Sequence, residues 1–281
     1  MIRFGPGGNP TNFYDDGNKS SLQMPVWLKN KGLNAYEYQC NKGVKISKEK
    51  AKELGELAKK NDIFLSIHAP YYISLSSVEK EKREKSVDYI ISTLKIAKEM
   101  GANRIVVHSG SVNKMNRTEA MGLAIQTLQK SINVADELGL GDISICPETM
   151  GKVNQLGNRH EVIELCQIDK RLIPTIDFGH IHVRDLGCLN TEKDFEELLD
   201  LFISELGMDR MKNFHSHFSK IEFTAGGEKR HWTLADSQFG PDFNILARVL
   251  KNRDLEPVVI CESKDIMADD ALLMKRIYEE I

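Results

Sequence analysis

The feature that most constrains this chain is a repeated alternation of short apolar runs with amphipathic helical stretches. The runs predict strands at Ile2–Gly5, Ala35–Tyr38, Phe64–Ile67, Arg104–Val107, Ile143–Pro147, Leu172–Ile176, Met211–Phe214 and Pro257–Cys261. Between them, apolar spacing near 3.6 residues predicts helices such as Ser47–Lys60, Val78–Met100, Arg117–Leu138, Thr191–Leu206 and Asp242–Lys251. Gly101, Gly139 and Gly207 stand where helices should stop. Eight strand–helix units in 281 residues come to about 35 residues each. That arithmetic predicts an α/β chain folded as one (β/α)8 barrel over residues 1–281, with its site at the carboxyl ends of the strands. An open doubly wound sheet is the rival. Its Gly-rich fingerprint is poorly matched by Phe4-Gly5-Pro6-Gly7-Gly8-Asn9-Pro10, which reads as a turn.

Composition narrows the class. Hydrophobic residues make up 41% and charged residues 28%, which excludes a disordered or fibrous chain. No apolar run approaches the ~20 residues of a membrane span, and the N-terminus lacks a signal-peptide pattern, so no membrane partner and a cytoplasmic location are expected. The five cysteines are scattered, odd in number and free of any CxxC, as expected of small reduced core residues. With 38 basic against 41 acidic residues, net charge −3, the chain lacks the basic surplus of a dedicated nucleic-acid binder. Any contact with DNA must rest on local basic loops or on bound cations.

The chemistry stands at the strand ends. Strand 3 runs into His68, strand 4 into His108, strand 5 into Glu148, and strand 6 into Asp177 with His180 three residues on. Strand 7 runs into His215 and His217, and strand 8 into Glu262. Six consecutive strands thus deliver an imidazole or a carboxylate to one face of a barrel. Nitrogen and oxygen ligands without thiolate suit Zn2+, Mn2+ or Fe2+. Together with His231 the set exceeds what one ion takes, so two or three ions are expected. His160 reads as a helix-start residue, and His182 and His215 are expected to face elsewhere.

In this order and spacing the motifs resemble the endonuclease IV family of apurinic/apyrimidinic DNA endonucleases (AP endonuclease family 2), within the xylose isomerase-like barrels. They are Ser66-Ile67-His68-Ala69-Pro70-Tyr71-Tyr72, Val107-His108-Ser109-Gly110, Pro147-Glu148-Thr149, Ile176-Asp177-Phe178-Gly179-His180, His217-Phe218-Ser219-Lys220, Arg230-His231 and Cys261-Glu262. The resemblance implies a three-zinc barrel. His68, His108 and a bridging Glu148 would hold the first ion; Glu148, Asp177, His217 and Glu262 the second; His180 and His231 the third. Tyr71, with Tyr72 beside it, would press into DNA at the lesion. The family's Asp two residues before the last His falls on Lys229, and a cation cannot ligate a cation. Either Glu228, one residue away, substitutes through a shifted loop, or the third site is weak or empty. Glu37, near the end of strand 2, is acidic where a DNA binder would prefer a base.

Two functions follow. The first is a metal-dependent phosphodiesterase of base excision repair, a monomer that cleaves double-stranded DNA 5′ to abasic sites, with Glu148 orienting the metal pair. Arg117, Lys152, Arg184, Lys220, Arg230 and Lys264 could add phosphate contacts. The second is a sugar or sugar-phosphate isomerase or epimerase, for which Glu148, Asp177, His217 and Glu262 would supply a one-metal set. His68 and His108 favour the first, since a one-metal enzyme has no use for a second ion site.

Overall fold

A computed structural model describes residues 1–112 and 115–281. Eight parallel strands form its centre. They are β1 (Arg3–Pro6), β2 (Ala35–Gln39), β3 (Phe64–His68), β4 (Arg104–Val107), β5 (Ser144–Pro147), β6 (Thr175–Asp177), β7 (His215–Phe218) and, after a hairpin of β8 (Lys220–Thr224) and β9 (Gly227–Trp232), β10 (Val258–Cys261). They pair as two four-stranded sheets, β1-β10-β7-β6 and β2-β3-β4-β5. Isolated parallel bridges, Gly7 with Glu37 and Glu148 with Thr175, join the sheet edges, and the strand order around them is that of a (β/α)8 barrel. At the first seam a Cβ on Gly5 would fall 1.8 Å from the Ala35 carbonyl oxygen, so β1 can approach β2 only because residue 5 has no side chain.

The helices lie close to their expected bounds because their caps are in the sequence. Ser47 accepts from Lys50 N ahead of Lys48–Asn61, Thr191 closes a capping box with Asp194 ahead of Glu192–Leu206, and Asp242 caps Phe243–Asn252. Gly101 ends Lys80–Met100 in the left-handed conformation. The main apolar core lies between these helices and the outer face of the strands.

Two strands depart from their expected places: β6 starts only at Thr175 where Leu172 is expected, and β7 is displaced altogether. Met211 closes a short helix, Met208–Met211, and β7 begins only at His215. His215 and His217 are therefore strand residues. Two positions apart, they point to the same face, into the barrel, which corrects the expectation that His215 faces elsewhere. Inward positions follow this period of two along the strands. Ala35, Phe64 and Val258 lie at the floor with Ile260 above them, and Glu37, Ser66 and His215 form a polar layer. The strand-end residues come next.

Candidate metal centre

At the carboxyl end of the barrel the expected residues converge into three contiguous clusters: His68, His108 and Glu148; Glu148, Asp177, His217 and Glu262; and His180, Glu228 and His231. Glu148 joins the first two, one oxygen to each. Its Oε2 lies 3.4 Å from His68 Nε2 and 3.2 Å from His108 Nε2, while its Oε1 lies 3.2 Å from His217 Nδ1. Glu262 Oε2 is 3.5 Å from the same His217 nitrogen. Asp177 divides its carboxylate likewise. Oδ1 accepts from His180 N at 2.7 Å, capping the helix Phe178–Arg184, and Oδ2 turns into the cluster.

The chemistry of this donor set fits divalent cations. Two ligands of a tetrahedral ion with bonds of ~2.0–2.2 Å stand ~3.3–3.6 Å apart, which is the spacing found here. Glu148 Oε2 and Asp177 Oδ2 are buried and accept no hydrogen bond, so both lone-pair sets remain free. Three histidines have one ring nitrogen anchored by a hydrogen bond: His68 Nδ1 on Ala69 O at 2.8 Å, His180 Nδ1 on Thr149 O at 2.9 Å with Asp177 Oδ2 3.2 Å away, and His231 Nδ1 on Ser219 Oγ at 2.8 Å; His217 Nε2 lies 3.1 Å from Glu37 Oε1 without forming a hydrogen bond. Such anchoring fixes tautomer and ring plane in metal-binding histidines.

The electrostatics say the same. Burial would lower His68 and His180, yet Glu148 beside the first, and Asp177 and Glu148 beside the second, raise them to about 9 and about 10. Burial likewise opposes ionisation of Glu148, but His217 and His108 hold it well below the usual carboxylate range. Asp177 is pushed up by burial, with Glu262 adding to the effect. This many buried carboxylates need positive charge, which protons on the rings or cations can supply.

The third cluster resolves the question posed by Lys229. Lys229 points away and pairs with Glu222. Glu228 takes the inward place, 3.6 Å from His180 Nε2 and 3.7 Å from His231 Nε2. In a regular strand Glu228 and His231, three apart, would face opposite sides. A bulge restores them to one side: Glu222 pairs with Arg230 and Phe223 with Glu228, leaving Lys229 as the extra residue. The hairpin is tied to the loop after β5 by Glu228 N to Gly151 O at 3.2 Å and Val153 N to Gly226 O at 3.2 Å. Gly227, at φ +90°, makes this possible, because a Cβ there would sit 2.1 Å from Gly151 O.

All the cluster residues but the fully buried Asp177 and His217 line a cleft of about 270 Å3, together with Tyr71, Lys152 and Gln155. It runs past Gln39, Asn41, His231 and Glu262 into a bay of about 570 Å3 bounded by Asn9, Tyr14 and Tyr36. Tyr71 and Tyr72 are exposed on the loop after β3, ring centroids 4.9 Å apart. Of the basic residues considered for phosphate contact, Lys152 lines the cleft. Arg184 is buried and donates to the carbonyls of Met150, Lys152, Val153 and Gln155, and Arg117 pairs with Glu161. Both guanidiniums are spent on holding the loop after β5. Lys220 bonds Asp236 O, and Arg230 lies over the Trp232 ring and pairs with Glu222. His182 faces away from the site, as expected, its Nδ1 accepting from Leu189 N at 3.1 Å. Glu37 lies inside the barrel, fully buried, and not on a DNA-facing loop. A period of two counted back from Gln39 would have placed it there.

Residues 26–277 match the family model described as xylose isomerase-like TIM barrel. An uncharacterized protein of Methanocaldococcus jannaschii is 34% identical over 281 residues, covering 100% of this chain and 98% of its own length. A probable endonuclease 4 of Acholeplasma laidlawii is 29% identical over 204 residues, 70% of this chain and 67% of that protein. Among solved structures, endonuclease IV from Thermus thermophilus superposes with a TM-score of 0.68 at 18% identity, covering 94% of both chains. A 3-keto-D-glucoside 4-epimerase from E. coli superposes with a TM-score of 0.70 at 14% identity, covering 100% of both.

Proposed function

The chain belongs to the xylose isomerase-like TIM barrel family, and from that premise we propose that it is a metal-dependent endonuclease that cleaves the phosphodiester 5′ to abasic sites in double-stranded DNA. The observation that carries this reading is the split use of Glu148, one oxygen toward His68 and His108 and the other toward His217. A carboxylate so placed suits two ions side by side, and Glu228 with His180 and His231 supports a third. When bound, zinc ions (or Mn2+ or Fe2+) supply the positive charge that phosphodiester cleavage needs at its attacking and leaving oxygens. The chain's own residues do the rest. Glu148, buried and held anionic, sets the spacing of the two clusters. Lys152 offers a phosphate contact at the cleft edge. Tyr71 and Tyr72, exposed at the rim, are positioned to stack against bases beside the lesion. Probable endonuclease 4 relatives support this reading.

A sugar epimerase is the second reading. It is favoured by the cluster of Glu148, Asp177, His217 and Glu262, which by itself is the one-metal set expected of that class. Metal content of the purified protein, measured with incision of an abasic duplex, separates the two. Two or three ions per chain with cleavage 5′ to the lesion is the expected result. One ion with ketose or aldose turnover, and an intact duplex, would overturn it. In the cleaving protein Glu148→Gln should keep the fold and lose about 100-fold or more in rate, since a ligand-anchoring residue alone is worth ~10–100-fold.

A further inference from the structure

Beneath the clusters, where barrels of this class are packed with branched apolar side chains, the interior holds a polar network centred on Glu37. Its Oε2 accepts from Ser66 Oγ at 2.9 Å and faces His215 Nε2 at 2.9 Å. Its Oε1 faces His217 Nε2 at 3.1 Å and accepts from Gln39 Nε2 at 3.3 Å. Glu37, His215 and His217 have no exposed surface. An ionised carboxylate only accepts, so His215 donates its Nε2 proton to Glu37, while His217 Nε2 stands beside Oε1 outside hydrogen-bond geometry and its Nδ1 shares a hydrogen bond with Glu148 Oε1 at 3.2 Å. Were a cation to take the place of the proton at that nitrogen, the ring would keep its one proton on Nε2, toward Glu37, and present its lone pair at Nδ1. That is the atom 3.2 Å from Glu148 Oε1, 3.5 Å from Glu262 Oε2 and 4.0 Å from Asp177 Oδ2. A bare lone pair amid three carboxylates is repulsive unless a cation stands between them.

We infer that Glu37 is a positioning residue for the second cation site, fixing the ring plane and the Nε2–H tautomer of His217 so that Nδ1 is presented to the ion. This rests on the metal reading of the clusters and not on the DNA reading. His68 and His231 lean on a carbonyl and a hydroxyl, and His180 on a carbonyl with Asp177 and Glu148 beside it. His217 leans on an anion, which makes its ring a stronger donor. His215 completes the device: together with Ser66 it holds Oε2, leaving Oε1 for His217. Glu37, His215 and His217 also lie close enough to hold an ion of their own. However, Ser66, His215 and Gln39 already occupy Glu37, and the layer is sealed from solvent.

The test is a Zn2+ titration of metal-free wild type and Glu37→Gln in competition with a chromophoric chelator. An amide offers one acceptor oxygen where the carboxylate offers two, so one of the two imidazoles loses its partner. One ion per chain should weaken by about 10–100-fold while the others keep their affinity. Should the variant fail to fold, 15N-labelled wild type loaded with zinc answers directly. His217 should carry its proton on Nε2, with Nδ1 showing the metal shift. Wild-type affinity at every site in a folded variant, or a proton on His217 Nδ1 in the loaded protein, overturns this role alone. Wild type that binds no zinc overturns the metal reading of the clusters and this role with it.

Discussion

Replacing Glu228 by alanine should empty one cation site and leave the others filled. Burial opposes ionisation of Glu228, but His231 and His180, with Lys152 further off, hold it at about 2 against an ordinary value of 4.5. At ~1.4 kcal/mol per pKa unit, that drop amounts to roughly 3 kcal/mol of attraction between one carboxylate and the positive rings around it. Discounting for the side open to the cleft leaves about 2–3 kcal/mol. A divalent ion brings two positive charges to the same group at shorter range, so losing Glu228 should cost it at least as much. At ~1.4 kcal/mol per decade, that is a drop in affinity of about 30–100-fold or more. Two neutral imidazoles would then be the only protein ligands left among the described residues of that cluster. The assay is zinc per chain by atomic emission after dialysis against a chelator that the wild type withstands. Glu228→Ala should lose one ion. Lys229→Asp should lose none and gain none, because the bulge turns residue 229 toward Glu222. A full count in Glu228→Ala, or an added ion in Lys229→Asp, would refute the assignment of the bulge as the device that delivers the third carboxylate.

Binding to an abasic duplex should weaken steeply with salt, and Tyr71→Ala should reduce discrimination for the lesion more than non-specific affinity; equal losses on lesion and intact DNA in a fluorescence titration would count against the rim tyrosines. Arg104 is buried near the barrel floor with Nε and Nη1 unpartnered, its guanidinium lying 5.3 Å from the Phe64 ring centroid. Arg104→Met should therefore stabilise the fold by about 1–3 kcal/mol in urea unfolding, and a destabilised variant would show that the guanidinium is satisfied. Glu161 accepts from Gly157 N, Asn158 N and Arg117; burial opposes its ionisation, but these donors lower its pKa. A depressed carboxylate stabilises above the unfolded value near ~4.3 and ceases to do so as pH falls through its folded value. Glu161→Gln should thus be less stable than wild type at pH 7, the gap narrowing as pH falls below the unfolded value and through the lowered folded one, and a gap independent of pH would exclude the charge as its source.

Alternation of strand and helix, the capping residues Ser47, Thr191 and Asp242, and the run of His and carboxylate residues at strand ends were all legible in the sequence. These are local signals: a period of two or 3.6 and a residue type at a boundary carry them without knowledge of any neighbour. Membership of one face was legible as well, since parallel strands in a barrel end on the same side. His215 marks where local reading failed for want of one boundary. With the strand ended at Phe214 it reads as loop, and with the strand begun at His215 the period of two sends it inward beside His217. Other features only the tertiary structure decided. Glu37 meets His215 across 178 positions of sequence, and Glu148 divides its two oxygens between histidines from three other strands. Glu228 enters the site because a bulge in a hairpin, seated on Gly151 through the missing side chain of Gly227, shifts its face. Which nitrogen of a ring looks at which oxygen depends on packing between distant segments, and a tenth of the chain's length or more separates the partners in each of these cases. Composition and periodicity fix the order of elements along the chain, whereas the direction of a lone pair is set by whatever the folded chain brings against it.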